Sequence, residues 1–167
     1  MVNPLAWPWI QMHPAARHPL RDASRQIRLL DISATIGDAI NGTMSQRSLV
    51  EAPPYDAISY RWGDPDLKAR VTIDDYSVPC TETCLCALQQ AHRLAANLVW
   101  IDAICINQAD SHEKSRQVQF MCEIYKHTRQ VLVSLGGPTY SFGTLATAFE
   151  ESEGGNAEPL TPGTSPW

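Results

Sequence analysis

Long hydrophobic runs are missing from this 167-residue chain. Its most apolar stretch, residues 131–135 (VLVSL), falls far short of the ~20 residues that a membrane-crossing helix needs, so no membrane span is expected. An excess of base is missing as well. Thirteen Lys and Arg stand against 18 Asp and Glu, a net charge of -5, and clustered base is what supplies affinity for phosphate backbones, so nucleic acid is excluded as the expected partner. The first residues, MVNPLAWPWIQMHP, have no basic segment ahead of the apolar ones, and Pro4 and Pro8 interrupt the run a secretion signal requires. There is no G-x-x-x-x-G-K-[ST] phosphate loop, no G-x-G-x-x-G turn and no internal repeat. The five cysteines are an odd number in a chain large enough to fold without staples, which points to reduced thiols and a cytoplasmic location. Cys80, Cys84 and Cys86 read C-x3-C-x-C without the second Cys or His pair that a zinc site needs, so no metal is expected.

What is present is an ordinary soluble composition, 44% hydrophobic and 19% charged, enough for one domain with one core. Charge is uneven along it: residues 1–50 hold five Arg against three Asp, and residues 51–110 hold nine acids against four bases. We divide the chain into an N-terminal leader (1–26), a folded domain (27–150) and a C-terminal tail or linker start (151–167) rich in Gly, Pro, Ser and Thr.

The apolar pattern sets the order of elements. Residues 27–32 (IRLLDI) suit a buried strand, and the polar stretch 33–51 leaves room for a helical turn or two. Residues 55–60 (YDAISY) form a strand between Pro53-Pro54 and the Trp62-Gly63-Asp64-Pro65 turn. Residues 70–79 alternate around Asp74-Asp75 as an edge hairpin closed by Pro79. Residues 81–96 turn helical, with Leu85, Leu88, His92 and Ala95 on one face and Thr81 or Thr83 as N-cap. A strand at 98–101, a helix at 110–127 carrying Val118, Met121, Cys122 and Tyr125 as its stripe, a strand at 131–135 and a short helix at 141–150 complete the order. Alternating strands and helices imply right-handed crossovers, hence an α/β fold with a mostly parallel twisted sheet flanked by helices. Ligands of such sheets sit beyond the strands' carboxyl ends, where the loops after Tyr60, Ile101 and Leu135 gather.

Two stretches exceed what periodicity explains: YDAISYRWGD at residues 55–64 and LVWIDAICINQADSHEKSRQVQFMCEIY at residues 98–125. Together they resemble the fungal heterokaryon-incompatibility (HET) domain, through Tyr55, Ser59, Tyr60, Trp62 and Gly63, then residues 100–108, then Asp110, Glu113, Gln117, Val118, Met121, Ile124 and Tyr125. The resemblance runs from about residue 27 to 137, with its core motifs over 55–136. Lys114 departs from it where the family usually has Arg, and the chain is shorter than family members generally are, so a truncated inactive fragment stays open as an alternative. The resemblance implies an effector or signalling module of fungal non-self recognition and programmed cell death, acting by self-association or protein partners. It also implies a distant similarity to TIR domains, whose three-layer flavodoxin-like sheet in some lineages cleaves NAD through a glutamate.

On that similarity Glu113 is the candidate catalytic residue, because glycosidic cleavage of NAD needs a carboxylate beside an oxocarbenium-like ribose. Trp62, Gly63, Asp102 and Asn107 are the candidate cofactor-binding residues, with NAD as substrate and no other cofactor expected. Each has an architectural alternative. Glu113 stands three residues after Asp110, the spacing of a capping box. Asp102 is placed to fix its own loop through backbone N–H groups, as is Asn107, and a tryptophan beside a strand is more often core than ligand platform.

Overall fold

The computed structural model describes residues 13–36, 39–64 and 69–135. The expected helix at 141–150 and tail at 151–167 lie outside these residues, as do the first 12 positions of the leader.

The described residues build a mixed α/β fold around a seven-stranded sheet. Its strands are β1 (Gln26–Ile36), β2 (Ala39–Ser48), β3 (Asp56–Tyr60), β4 (Ala69–Ile73), β5 (Tyr76–Cys80), β6 (Leu98–Ile101) and β7 (Gln130–Ser134), in the spatial order β5-β4-β2-β1-β6-β3-β7. The helices are α1 (Pro14–Arg17), α2 (Glu82–Arg93), α3 (Asp102–Cys105) and α4 (Ser111–Lys126).

The expected parallel arrangement holds in one half of the sheet. β3 lies between β6 and β7, parallel to both, because α2 and α4 carry the chain back across the sheet between them. The other half corrects it. β1 pairs antiparallel with both β2 and β6, β4 and β5 form the expected edge hairpin, and β2 runs parallel to β4, so the sheet is mixed and not mostly parallel. The cause is β2, which lies within the polar stretch 33–51. Only Ile40, Gly42 and Met44 of this strand turn to the core, a sparse period-two pattern hidden among polar residues. Gly42 is needed there, since a Cβ would stand 2.7 Å from the carbonyl oxygen of Asp31 on the neighbouring strand.

Local chemistry fixes the connections. The β4–β5 hairpin turns on Asp74 (φ 51°) and Asp75 (φ 64°), the paired left-handed residues of a type I′ turn. Thr81 caps α2 by accepting the Cys84 N–H at 3.1 Å. The helix buries Cys84, Ala87, Leu88 and Ala91, a face turned from the expected Leu85, Leu88, His92 and Ala95 stripe. Ala95 instead ends α2, with φ 58° and the Ala96 N–H reaching the Ala91 carbonyl at 3.0 Å. On α4 the buried residues are Glu113, Gln117 and Ile124, whereas Val118 is half exposed and Cys122 exposed. Two polar side chains facing inward explain why the apolar stripe misreads this helix.

The core lies against both faces of β1, β3 and β6, with Trp100 fully buried and its ring edge-on to Tyr125 at 5.7 Å between centroids. Tyr55 anchors the end of α4 by donating its hydroxyl to the Ile124 carbonyl at 2.6 Å. Residues 13–25 pack on this frame: Ala15 is fully buried, His18 meets Asp74 at 2.8 Å, and the Arg17 guanidinium lies 3.7 Å over the Tyr76 ring. Among the described residues no helix is long and apolar enough to cross a membrane.

Candidate functional site

β3 and β6 run parallel, so their carboxyl ends deliver Trp62 and Asp102 to the same edge of the sheet. The Trp62 indole N–H donates to Asp102 Oδ2 at 3.0 Å, and the other carboxylate oxygen accepts the N–H of Ala103, at 2.7 Å, where α3 begins. Burial pushes the Asp102 carboxyl above its ordinary range, against the lowering pull of the Trp62 and Ala103 donors and the Lys114 charge. Gln108 closes the turn from behind by donating its side-chain amide to the Asp102 carbonyl at 3.0 Å. Gly63 follows with φ 71°, and a Cβ there would stand 2.8 Å from the Thr83 methyl group. The Thr83 hydroxyl donates to the Trp62 carbonyl at 2.8 Å, so this corner is tied to α2 as well as to α3.

Glu113 is placed differently. Asp110 caps α4 with one carboxylate oxygen accepting the N–H groups of His112 and Glu113, but the Glu113 side chain does not complete a capping box. It reaches instead to Arg28 on β1, in a two-pronged pair of 2.6 and 2.8 Å, and also accepts the Asn107 N–H at 2.9 Å. Arg28 is fully buried. Its remaining donors go to the Cys105 carbonyl at 2.9 Å and the His18 carbonyl at 2.6 Å, so a single guanidinium ties together β1, the end of α3, α4 and the N-terminal segment. The apolar pattern places Arg28 in a buried strand and gives it no role of its own. The signal was there, since a lone Arg inside an apolar strand has to find a carboxylate or carbonyls.

Two cavities flank these groups among the described residues: Trp62 lines one and Glu113 and Asn107 the other, whereas Asp102 and Gly63 line neither. A cavity of about 400 Å³ opens between residues 19–24 and the start of α4, with Asn107, Asp110, His112, Glu113 and Arg116 in its wall. A smaller one of about 100 Å³, mostly apolar, lies among His13, Tyr60, Trp62, Pro79, Ile104 and Gln108. Trp62 and Asp102 come together; Glu113 and Asn107 share the other cavity. The Asn107 side chain accepts the Ala109 N–H at 3.2 Å, a turn-forming bond within its own loop.

The thiols follow burial. Hydrogen bonding to Cys84 draws the Cys80 thiol below its ordinary value, and the same contact together with burial drives Cys84 well above it. Cys105, fully enclosed, is pushed up to about 12 by burial. Among the described residues no three His, Cys, Asp or Glu side chains are grouped so as to hold a metal ion.

A mixed α/β domain whose two motif blocks meet at the strand ends is the class that this geometry defines. Residues 55–161 match the model of the family described as heterokaryon incompatibility protein (HET), and the chain belongs to that family. It is 35% identical over 133 residues to heterokaryon incompatibility protein 6, OR allele, of Neurospora crassa, an alignment covering 70% of this chain and 20% of that protein. The chain thus spans about a fifth of the length of that curated relative. No solved structure matches it.

Proposed function

We propose that this heterokaryon-incompatibility domain is a cytoplasmic effector module of fungal non-self recognition and programmed cell death, working through protein contact, either with itself or with a partner. The observation that carries contact over chemistry is the Arg28–Glu113 pair. Glu113 has both oxygens engaged by one buried guanidinium and one of them also by a backbone N–H, which is the work of a structural tie. Asp102, another acid of the family motif, is likewise engaged on both oxygens.

A second reading rests on a separate observation. Glu113 forms part of the wall of the larger cavity beside Asn107, His112 and Arg116, where a TIR-like NAD glycohydrolase would place its carboxylate. The parallel β6-β3-β7 block with its crossover helices is the part of the sheet that supports kinship with flavodoxin-like TIR folds. In this reading Trp62, Gly63, Asp102 and Asn107 contribute to NAD binding, although Trp62 and Asn107 face different cavities.

The test is sedimentation velocity of the purified chain over a wide concentration range, paired with expression in fungal cells scored for viability. Concentration-dependent association together with loss of viability is the expected result. A chain that stays monomeric, binds no host protein and leaves cells unaffected overturns the proposal.

A further inference from the structure

The C-x3-C pair at the start of α2 has no part in the arrangement above. Cys80 is the last residue of β5, Thr81 caps α2, and Cys84 lies in the first helical turn with its N–H held by the Thr81 side chain at 3.1 Å. The cap sets the helix start against the strand end, and the two thiols meet there. Cys84 donates its S–H to the Cys80 sulfur, and the Tyr60 hydroxyl donates to Cys84. The Leu85 N–H, which reaches the Thr81 carbonyl at 3.1 Å, is shared with Cys80.

The two sulfurs are not equivalent. The hydrogen bond from Cys84 holds the Cys80 thiol below its ordinary pKa against the opposing effect of burial, and the Arg70 charge and the Leu85 N–H assist. The same hydrogen bond and burial keep Cys84 a thiol. Thiolate character therefore collects on Cys80, and the thiolate is the form that attacks an oxidant. Access follows the same division. Cys80 forms part of the wall of the smaller cavity together with Tyr60, Pro79 and the half-exposed Trp62, whereas Cys84 is buried outside that wall. A volume of about 100 Å³ is ample for hydrogen peroxide, which is little larger than a water molecule with its ~30 Å³ share of the liquid.

We propose that Cys80 and Cys84 are a peroxide-responsive pair, in which Cys80 is oxidised through the cavity and Cys84 then joins it in a disulfide between the end of β5 and the first turn of α2. In the first step the Cys80 sulfur attacks one oxygen of hydrogen peroxide, the O–O bond breaks, hydroxide leaves, and Cys80 becomes a sulfenic acid. In the second the Cys84 sulfur attacks the Cys80 sulfur, the S–OH bond breaks, and the Cys84 proton leaves with the hydroxide as water. Two thiols are oxidised, and one peroxide is reduced to two waters. Only residues 81–83 lie between the partners, so no distant element has to move. Thr83 is one of them, and its hydroxyl donates to the Trp62 carbonyl at 2.8 Å, so the bridge forms beside the corner that carries the family motif. The pair stands independently of whether the domain signals by contact or by cleavage.

The experiment treats the 167-residue chain with hydrogen peroxide at neutral pH, removes the excess with catalase, alkylates the remaining thiols in denaturant and maps them by mass spectrometry. Of the five free thiols, Cys80 and Cys84 are expected to be lost together, with two hydrogens gone, no oxygen gained, and both thiols restored by dithiothreitol. Cys86→Ser is expected to form the same bridge, which settles the pairing where three cysteines share one peptide. Cys84→Ser is expected to stop at a Cys80 sulfenic acid that dimedone traps, and if that variant does not fold, the maps of the unaltered and Cys86→Ser chains decide. Cys80 and Cys84 still open to alkylation once Cys122 is oxidised, a bridge that requires Cys86, or Cys80 passing to sulfinic acid without a bridge would each overturn the proposal.

Discussion

The indole N–H of Trp62 donates to the Asp102 carboxylate across 3.0 Å, joining one side chain from each of the two sequence blocks that mark the family. Because β3 and β6 are parallel neighbours, residues 40 positions apart in sequence arrive at the same sheet edge. Trp62→Phe keeps the ring and removes the donor. A loss of about 0.5–1.5 kcal/mol in urea unfolding is expected, toward the low end because Trp62 is half exposed. The Asp102 carboxyl should titrate higher still, since one of the donors that lower it has gone, and carbon-detected NMR of the side chain reads this directly.

Asp102 also gives the fold a pH dependence. Its carboxyl is raised in the folded state, so the unfolded chain releases its proton first as pH climbs. Stability from this group is complete below the unfolded value of 3.8 and declines as pH rises through the folded value, then levels off. Asp102→Asn should lack that declining component. Urea titrations of both proteins from pH 3 upward, compared as differences, test the sign.

The Arg28–Glu113 pair is buried at both ends. Removing one partner strands the other, so Glu113→Leu and Arg28→Met are each expected to cost about 3–5 kcal/mol. The double variant Arg28→Met/Glu113→Leu should recover part of that loss, because no unpaired charge remains in the interior. Denaturant unfolding of the four proteins gives the coupling.

Two left-handed positions should respond with opposite signs. Gly63→Ala brings a Cβ against Thr83 at a φ of 71° and is expected to destabilise by roughly 1–2 kcal/mol. Ala95→Gly, at the end of α2 with φ 58°, is expected to stabilise by up to about 1 kcal/mol. A thermal melt of each variant decides both.

Thiol labelling separates the cysteines. Cys122 is exposed on α4, whereas Cys105 is fully buried with its thiol pushed up to about 12. In the folded protein near pH 8, Cys122 should react with a disulfide reagent first, and Cys105 only after denaturant is added. Peptide mapping of the labelled sites identifies which has reacted.

The elements legible in the sequence were those with dense, regular apolar patterns or strong turn chemistry: the first half of β1, β3, the β4–β5 hairpin, α2, β6, α4 and β7. β2 was not, because only three of its residues face the core and one is glycine. Missing that strand hid the antiparallel half of the sheet. The Trp62–Asp102 corner was half legible, since both residues stood out in their motifs and only the strand order shows that they touch. The partner of Glu113 was out of reach of any local spacing rule, because Arg28 lies 85 positions earlier in the chain. His13 and Ala15 were likewise read as leader, although they pack beside α3.

The most direct test of this account follows NAD content and viability together in fungal cells expressing the chain, beside Glu113→Gln produced at equal soluble level. Loss of viability with NAD unchanged is the predicted result, with Glu113→Gln acting only as far as it destabilises the fold. A fall in NAD that precedes death, and that a folded Glu113→Gln abolishes along with the death, would contradict the account and make Glu113 a reagent in place of a tie.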